Sequence, residues 1–130
     1  MAAARLAPAI VVELAKVDHL LVRYGYADTC ELLAQRKRPL LRSSLGATQL
    51  GRLVATIGAW PVIGRSCLRR ALVLSDLLRR SGHNPCVRIG ARHNVERRIE
   101  AHAWVEVAGA VIGERGNVDG FAVLRGLQPV

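Results

Sequence analysis

Apolar residues recur at helical spacing near the start of the chain. Ile10, Leu14, Val17 and Leu21 fall on one face of a helix over residues 7–22. "YGY" at 24–26 breaks that period, and Asp28 or Thr29 stands where a cap would open a short helix through Leu33. A basic connection, "QRKRPLLRSSLGA", carries Pro39 and Gly46. After it, "TQLGRLVATIGAW" sets Leu50, Leu53, Val54 and Ile57 on one helical face, with Thr48 as its cap. The loop "WPVIGRS" then leads to "CLRRALVLSDLLRRSG", the strongest helix in the chain, closed by two arginines and Gly82. Beyond it the period changes to two. "PCVRIGA" reads as a strand with Val87 and Ile89 on one side, "RHNVERRIE" as a polar connection, and "AHAWVEV" and "AVIGE" as strands joined by a tight turn. Helices, one long helix and an antiparallel meander predict an α+β domain spanning residues 1–130. Residues 1–58 form its helical part and residues 59–130 its core.

The strand "AHAWVEV" poses the chemical question. Ala103, Val105 and Val107 share one face and suit a core, whereas His102, Trp104 and Glu106 share the other. What His102 faces depends on the turn that follows. A two-residue loop at Ala108-Gly109 would oppose His102 to Arg115 and send Glu114 to the other face. A three-residue loop, Val107 to Gly109, gives Gly109 the left-handed position such loops require, and this is the register the sequence predicts. It pairs Glu106 with Ala110, Trp104 with Ile112 and His102 with Glu114, with directly opposed Cβ atoms about 4.5–5.5 Å apart. Glu114 would then accept the imidazole N–H, with Asp119 in the following loop as a rival orienter. Trp104 is a shield for that pair, a wall for substrate, or an aromatic core residue.

Charge changes the picture less than its size suggests. The net charge is +9, but residues 1–58 hold 8 Lys/Arg against 4 Asp/Glu and residues 59–130 hold 11 against 6, so there is no basic block. Two Trp, two Tyr and one Phe are too few for a base-stacking surface. An acidic peptide or protein partner fits the charge without nucleic acid. No apolar run approaches the roughly 20 residues of a bilayer span. Glu13, Lys16 and Asp18 interrupt the first apolar stretch, which favours an amphipathic helix over a signal peptide and a cytoplasmic location. Cys30, Cys67 and Cys86 form no CxxC pair, so neither a disulfide framework nor a metal site is expected. Nor is there a phosphate loop, and no cofactor is expected.

Of the three thiols, Cys67 has a distinctive setting. It opens the long helix, where unpaired N–H groups and the positive end of the helix dipole favour a thiolate. Ala71, Leu74 and Leu78 follow it on the packing face. Cys30 and Cys86 are read as structural. A cysteine nucleophile needs a base, and the base needs an orienting acceptor. His19, His83 and His93 lie in a helix, a turn and a basic loop, which leaves His102 as the one on a sheet face.

The stretch from Ser66 to Glu114, "SCLRRALVLSDLLRRSGHNPCVRIGARHNVERRIEAHAWVEVAGAVIGE", resembles the transglutaminase-like cysteine peptidases of lasso-peptide biosynthesis. More narrowly, it looks like the stand-alone peptidase half of the split B protein. Cys67-Leu68, Arg70-Ala71-Leu72, Leu77 to Arg80 with Gly82, Ile89-Gly90 and Ala101 to Glu106 fill that family's pattern, and Arg69 stands where many members have proline. The resemblance covers residues 59–125 well and the helical part only in general character. It implies a papain/transglutaminase-like fold with the catalytic cysteine at the start of a long helix, packed on a small antiparallel sheet carrying the histidine. It also implies a Cys-His-Asp triad that cleaves the leader from a precursor peptide. By resemblance Cys67 is the nucleophile and a backbone oxyanion donor, and His102 the general base and acid. The third place falls on Glu114, with Asp119 the alternative. "WPVIGRS" supplies no side-chain amide for a second oxyanion donor. The implied partners are the leader–core precursor, a small leader-recognition protein and a downstream cyclase, with neither nucleic acid nor membrane. A transglutaminase-type acyltransferase and a non-catalytic binding module of the same fold are the competing functions.

Overall fold

A computed structural model describes residues 2–35, 46–58, 67–113 and 120–124, with the backbone alone for residues 2–6 and 58. Its elements run α1 (Ala2–Ala34), α2 (Ala47–Gly58), α3 (Cys67–Arg80), β1 (Pro85–His93), β2 (Ile99–Val107), β3 (Ala110–Ile112) and β4 (Ala122–Val123).

The helical stripe of α1 is buried as its spacing requires, with Ile10, Leu14 and Val17 each 0% exposed. The break at "YGY" is a kink at Gly25, whose φ of 81° is open to glycine at little cost. Helix resumes at once, so the capping role predicted for Asp28 or Thr29 is not filled. The buried Thr29 hydroxyl instead donates to the Gly25 carbonyl one turn back, at 2.6 Å. On α2 the cap also shifts. The Gly46 N–H donates to Gln49 Oε1 at 3.0 Å while the Leu50 N–H bonds the Gly46 carbonyl. Gly46 is therefore the cap, Gln49 reaches back to it, and Thr48 sits inside the first turn. Leu50, Val54 and Ile57 are buried, and Leu53 is partly so.

α3 ends as its sequence signals. Gly82 takes φ 91°, the His83 N–H bonds the Leu78 carbonyl and the Gly82 N–H the Arg79 carbonyl. That pattern satisfies the last carbonyls of the helix. α3 lies at the centre, touching α1, α2, β1 and β2. Its Ala71, Leu74 and Leu78 join Val87, Ala103, Val105 and Ile112 in one core with the α1 and α2 stripes. Among the described residues no helix is long and apolar enough to cross a membrane.

The sheet is antiparallel in the order β3-β2-β1-β4. Its β2–β3 register corrects the three-residue turn. Val107 pairs with Ala110, Glu106 with Val111 and Val105 with Ile112. Ala108 and Gly109 alone form the turn, both left-handed, at φ 52° and 81°. The reason is burial: this register keeps Val105 and Ile112 on one face, and both are core residues. The predicted register would have turned Ile112 to the Trp104 side. The left-handed Ala108 is the conformational cost of that choice, on the order of 1–2 kcal/mol.

Candidate active site

Cys67 is the first residue of α3, a free and half-buried thiol packed against the edge of the core. The start of the helix is tied to α1, because Arg69 Nη1 lies 3.1 Å from Asp18 Oδ1. Cys30 and Cys86 are also free and half-buried. Burial pushes the Cys30 thiol up from its ordinary value, although the neighbouring Tyr26 hydroxyl acts the other way. Burial, followed by Cys30 itself, raises the Tyr26 phenol as well.

His102 lies in β2, on the face turned away from the core that holds Ala103 and Val105. Directly across from it on β1 is Gly90. Two rings occupy the space this glycine leaves. Trp104 stacks on the imidazole at 6.0 Å between centroids, and Phe121, just before β4, approaches it at 5.4 Å. Trp104 is only 3% exposed, and its Nε1–H donates to Glu106 Oε2 at 2.9 Å. It is therefore a buried, hydrogen-bonded ring. Glu106 also lies 3.6 Å from Arg88, and Glu100 pairs with Arg92 at 3.1 Å. Both acids on the His102 face of β2 thus already have basic or indole partners. Arg92 in turn covers the Phe121 ring, at 4.2 Å from its centroid.

The structure thus supplies a cysteine at a helix start and a histidine on a strand. Cys67 packs against the edge of the core, and His102 lies on the β2 face that also carries Trp104 and Glu106. Glu114 and Asp119 lie outside the described residues, so neither is assigned as the orienting acid. The register used to set Glu114 opposite His102 is not the one found between β2 and β3, and the His102–Glu114 pairing itself lies outside the described residues. Among the described residues no group of three His, Cys, Asp or Glu side chains is placed to hold a metal ion. Sequence reasoning missed Phe121 and Arg92, and it gave Gly90 no role beyond its place in the Ile89-Gly90 motif. The one signal for Phe121 was that the chain's single Phe follows Asp119-Gly120, a turn pair.

Residues 11–126 match the family model described as the transglutaminase-like superfamily. The chain belongs to that superfamily. No match was found among curated proteins or among solved structures. The match begins within α1, so the helical layer is part of the transglutaminase-like domain. Enzymes of the superfamily are typically cysteine peptidases or acyltransferases, and the three helices with a small antiparallel sheet agree with its general α+β fold.

Proposed function

We propose that this chain is a cysteine peptidase that removes the leader from a lasso-peptide precursor. A separate leader-recognition protein presents the substrate, and a cyclase acts on the released core; all of this takes place in the cytoplasm. The observation that carries the reading is Cys67 at the first position of α3 in a transglutaminase-like domain. The ordered motif set from Cys67-Leu68 to Ala101–Glu106, through its resemblance to the lasso-peptide leader peptidases, supports leader removal.

In the mechanism, Cys67 Sγ attacks the carbonyl carbon at the leader–core junction while His102 takes the thiol proton. The backbone N–H of Cys67 donates to the oxyanion. Collapse breaks the C–N bond, His102 returns the proton to the departing core amine, and the leader remains as a thioester. Water, deprotonated by His102, then hydrolyses the thioester to the leader carboxylate and the free thiol. This chemistry requires the imidazole to come within hydrogen-bond reach of Cys67 Sγ in the substrate complex, as commonly happens when catalytic contacts tighten on binding.

The test is mass spectrometry of a precursor peptide incubated with the protein, with and without the recognition protein. Wild type is expected to release leader and core, and Cys67→Ala to release neither. Release by Cys67→Ala would refute the reading. Addition of a primary amine separates peptidase from acyltransferase, since only the latter yields a leader–amine adduct as the main product. For the third triad place, Glu114→Gln is expected to lower kcat at least 10-fold, on the order of one general-acid/base increment or less. A loss confined to Asp119→Asn would move the orienting role there.

A further inference from the structure

We infer that Phe121 is a positioning residue for His102, acting across the bare backbone of Gly90. The inference rests on the cysteine-peptidase reading above and names how its base is held.

β1 separates β2 from β4, so a side chain beside β4 reaches His102 only by passing over β1. The residue under that path is Gly90, which pairs with His102 on one side and with Val123 on the other. A Cβ on Gly90 would lie 2.8 Å from Trp104 Cη2 and 2.9 Å from Phe121 Cβ, closer than real Cβ contacts come. The absence of that atom lets three rings meet. His102, Trp104 and Phe121 form a closed triangle with centroid separations of 6.0, 5.4 and 6.0 Å. Phe121 is itself held from outside by the Arg92 guanidinium, which Glu100 anchors through its carboxylate. Trp104 is fixed by its hydrogen bond to Glu106.

An imidazole that first accepts a proton and then returns it must keep one orientation through both steps. A displacement of about 1 Å at a reacting group can lower the rate about 100-fold. Trp104 comes from the same strand and holds the ring along β2. Phe121 comes from two strands away and limits its swing across the sheet. Its contact with substrate is not required for this role, so the effect belongs in kcat rather than KM.

The experiment compares Phe121→Leu, Phe121→Tyr and Gly90→Ala with wild type by leader-release kinetics. It also records the His102 imidazole C–H resonances by NMR in the Cys67→Ala background. Phe121→Leu is expected to lower kcat about 10- to 100-fold with KM within about 2-fold. The His102 resonances should move downfield as the ring current of the phenyl group is lost. Phe121→Tyr keeps the ring and should restore kcat, whereas Gly90→Ala displaces the rings from beneath and should reproduce the loss in both readouts. A folded Phe121→Leu protein whose imidazole resonances do not move would overturn the inference, as would a change confined to KM. Failure of the peptidase reading shows separately, as leader release by Cys67→Ala, and leaves the resonance measurement intact.

Discussion

Asp76 carries a charge that its sequence context makes look superficial. It precedes Arg79 and Arg80 by three and four residues, the spacing of an ordinary surface pair. Yet it is 2% exposed, with Arg79 Nη2 at 3.1 Å and Arg80 Nη1 at 3.3 Å. Arg79 Nη2 also donates to the Leu33 carbonyl, so the carboxylate holds the group that closes α1 onto α3. Helical periodicity shows which residues share a face but not which neighbouring element covers them, and so Asp76 was not legible. Asp76→Ala is expected to destabilise the fold by about 2 kcal/mol, less than a fully buried pair because Arg79 is part-exposed. Urea unfolding would show it as a lower midpoint at unchanged slope. Tyr26 and Cys30 give a pH dependence. Both are held protonated by burial, so the folded chain binds more protons than the unfolded one once pH passes the ordinary thiol value of 9.0. Stability is then lost as pH rises, first through the thiol and then the phenol. Denaturation between about pH 8 and 11 should show the decline, and Cys30→Ala should remove its lower part.

The elements themselves were largely readable, because their apolar periods coincide with the faces that are buried. Ile10, Leu14 and Val17 in α1 and Leu50, Val54 and Ile57 in α2 are core residues, and Ala103 and Val105 on β2 are too. Caps and turns were read less well. A short polar residue at the right offset suggested Thr29 and Thr48 as caps, but the backbone groups they would have satisfied were satisfied otherwise. At the β2–β3 turn, the left-handed place was assigned to the glycine alone, whereas the burial of Ile112 forces Ala108 into the same region. Ala108→Gly is therefore expected to stabilise the protein by up to about 1 kcal/mol, by relieving the Cβ strain against the added chain entropy. Thermal unfolding would register it as a higher midpoint. Gly51 marks the opposite constraint. A Cβ there would lie 2.6 Å from Ile112 Cγ2 and 2.8 Å from the Gly113 nitrogen, so α2 lies directly on the end of β3. Gly51→Ala should cost about 1–3 kcal/mol in the same assay.

For the molecule as a whole, the order of elements and the α+β class followed from the change of period at Pro85 and from the long helix before it. The superfamily was legible from the motifs around Cys67 and His102, and the family match over residues 11–126 supports it at that level. The site as an assembled unit was not legible, because it depends on contacts between segments distant in the chain. Phe121 and Gly90 are 31 positions apart in sequence yet would collide if the glycine gained a Cβ. β4, which carries Phe121 into place, is only two residues long, pairing Val123 with Gly90 and Ala122 with Ala91. The Leu124 N–H adds a bond to the Ile89 carbonyl at 2.7 Å. So short an edge opens at a free energy well below that of global unfolding. Amide hydrogen exchange should accordingly be faster at Leu124 than along the β1–β2 ladder. Each such opening also withdraws the Phe121 ring from the imidazole, so the exchange rate of one edge amide becomes a clock for how often that contact is broken.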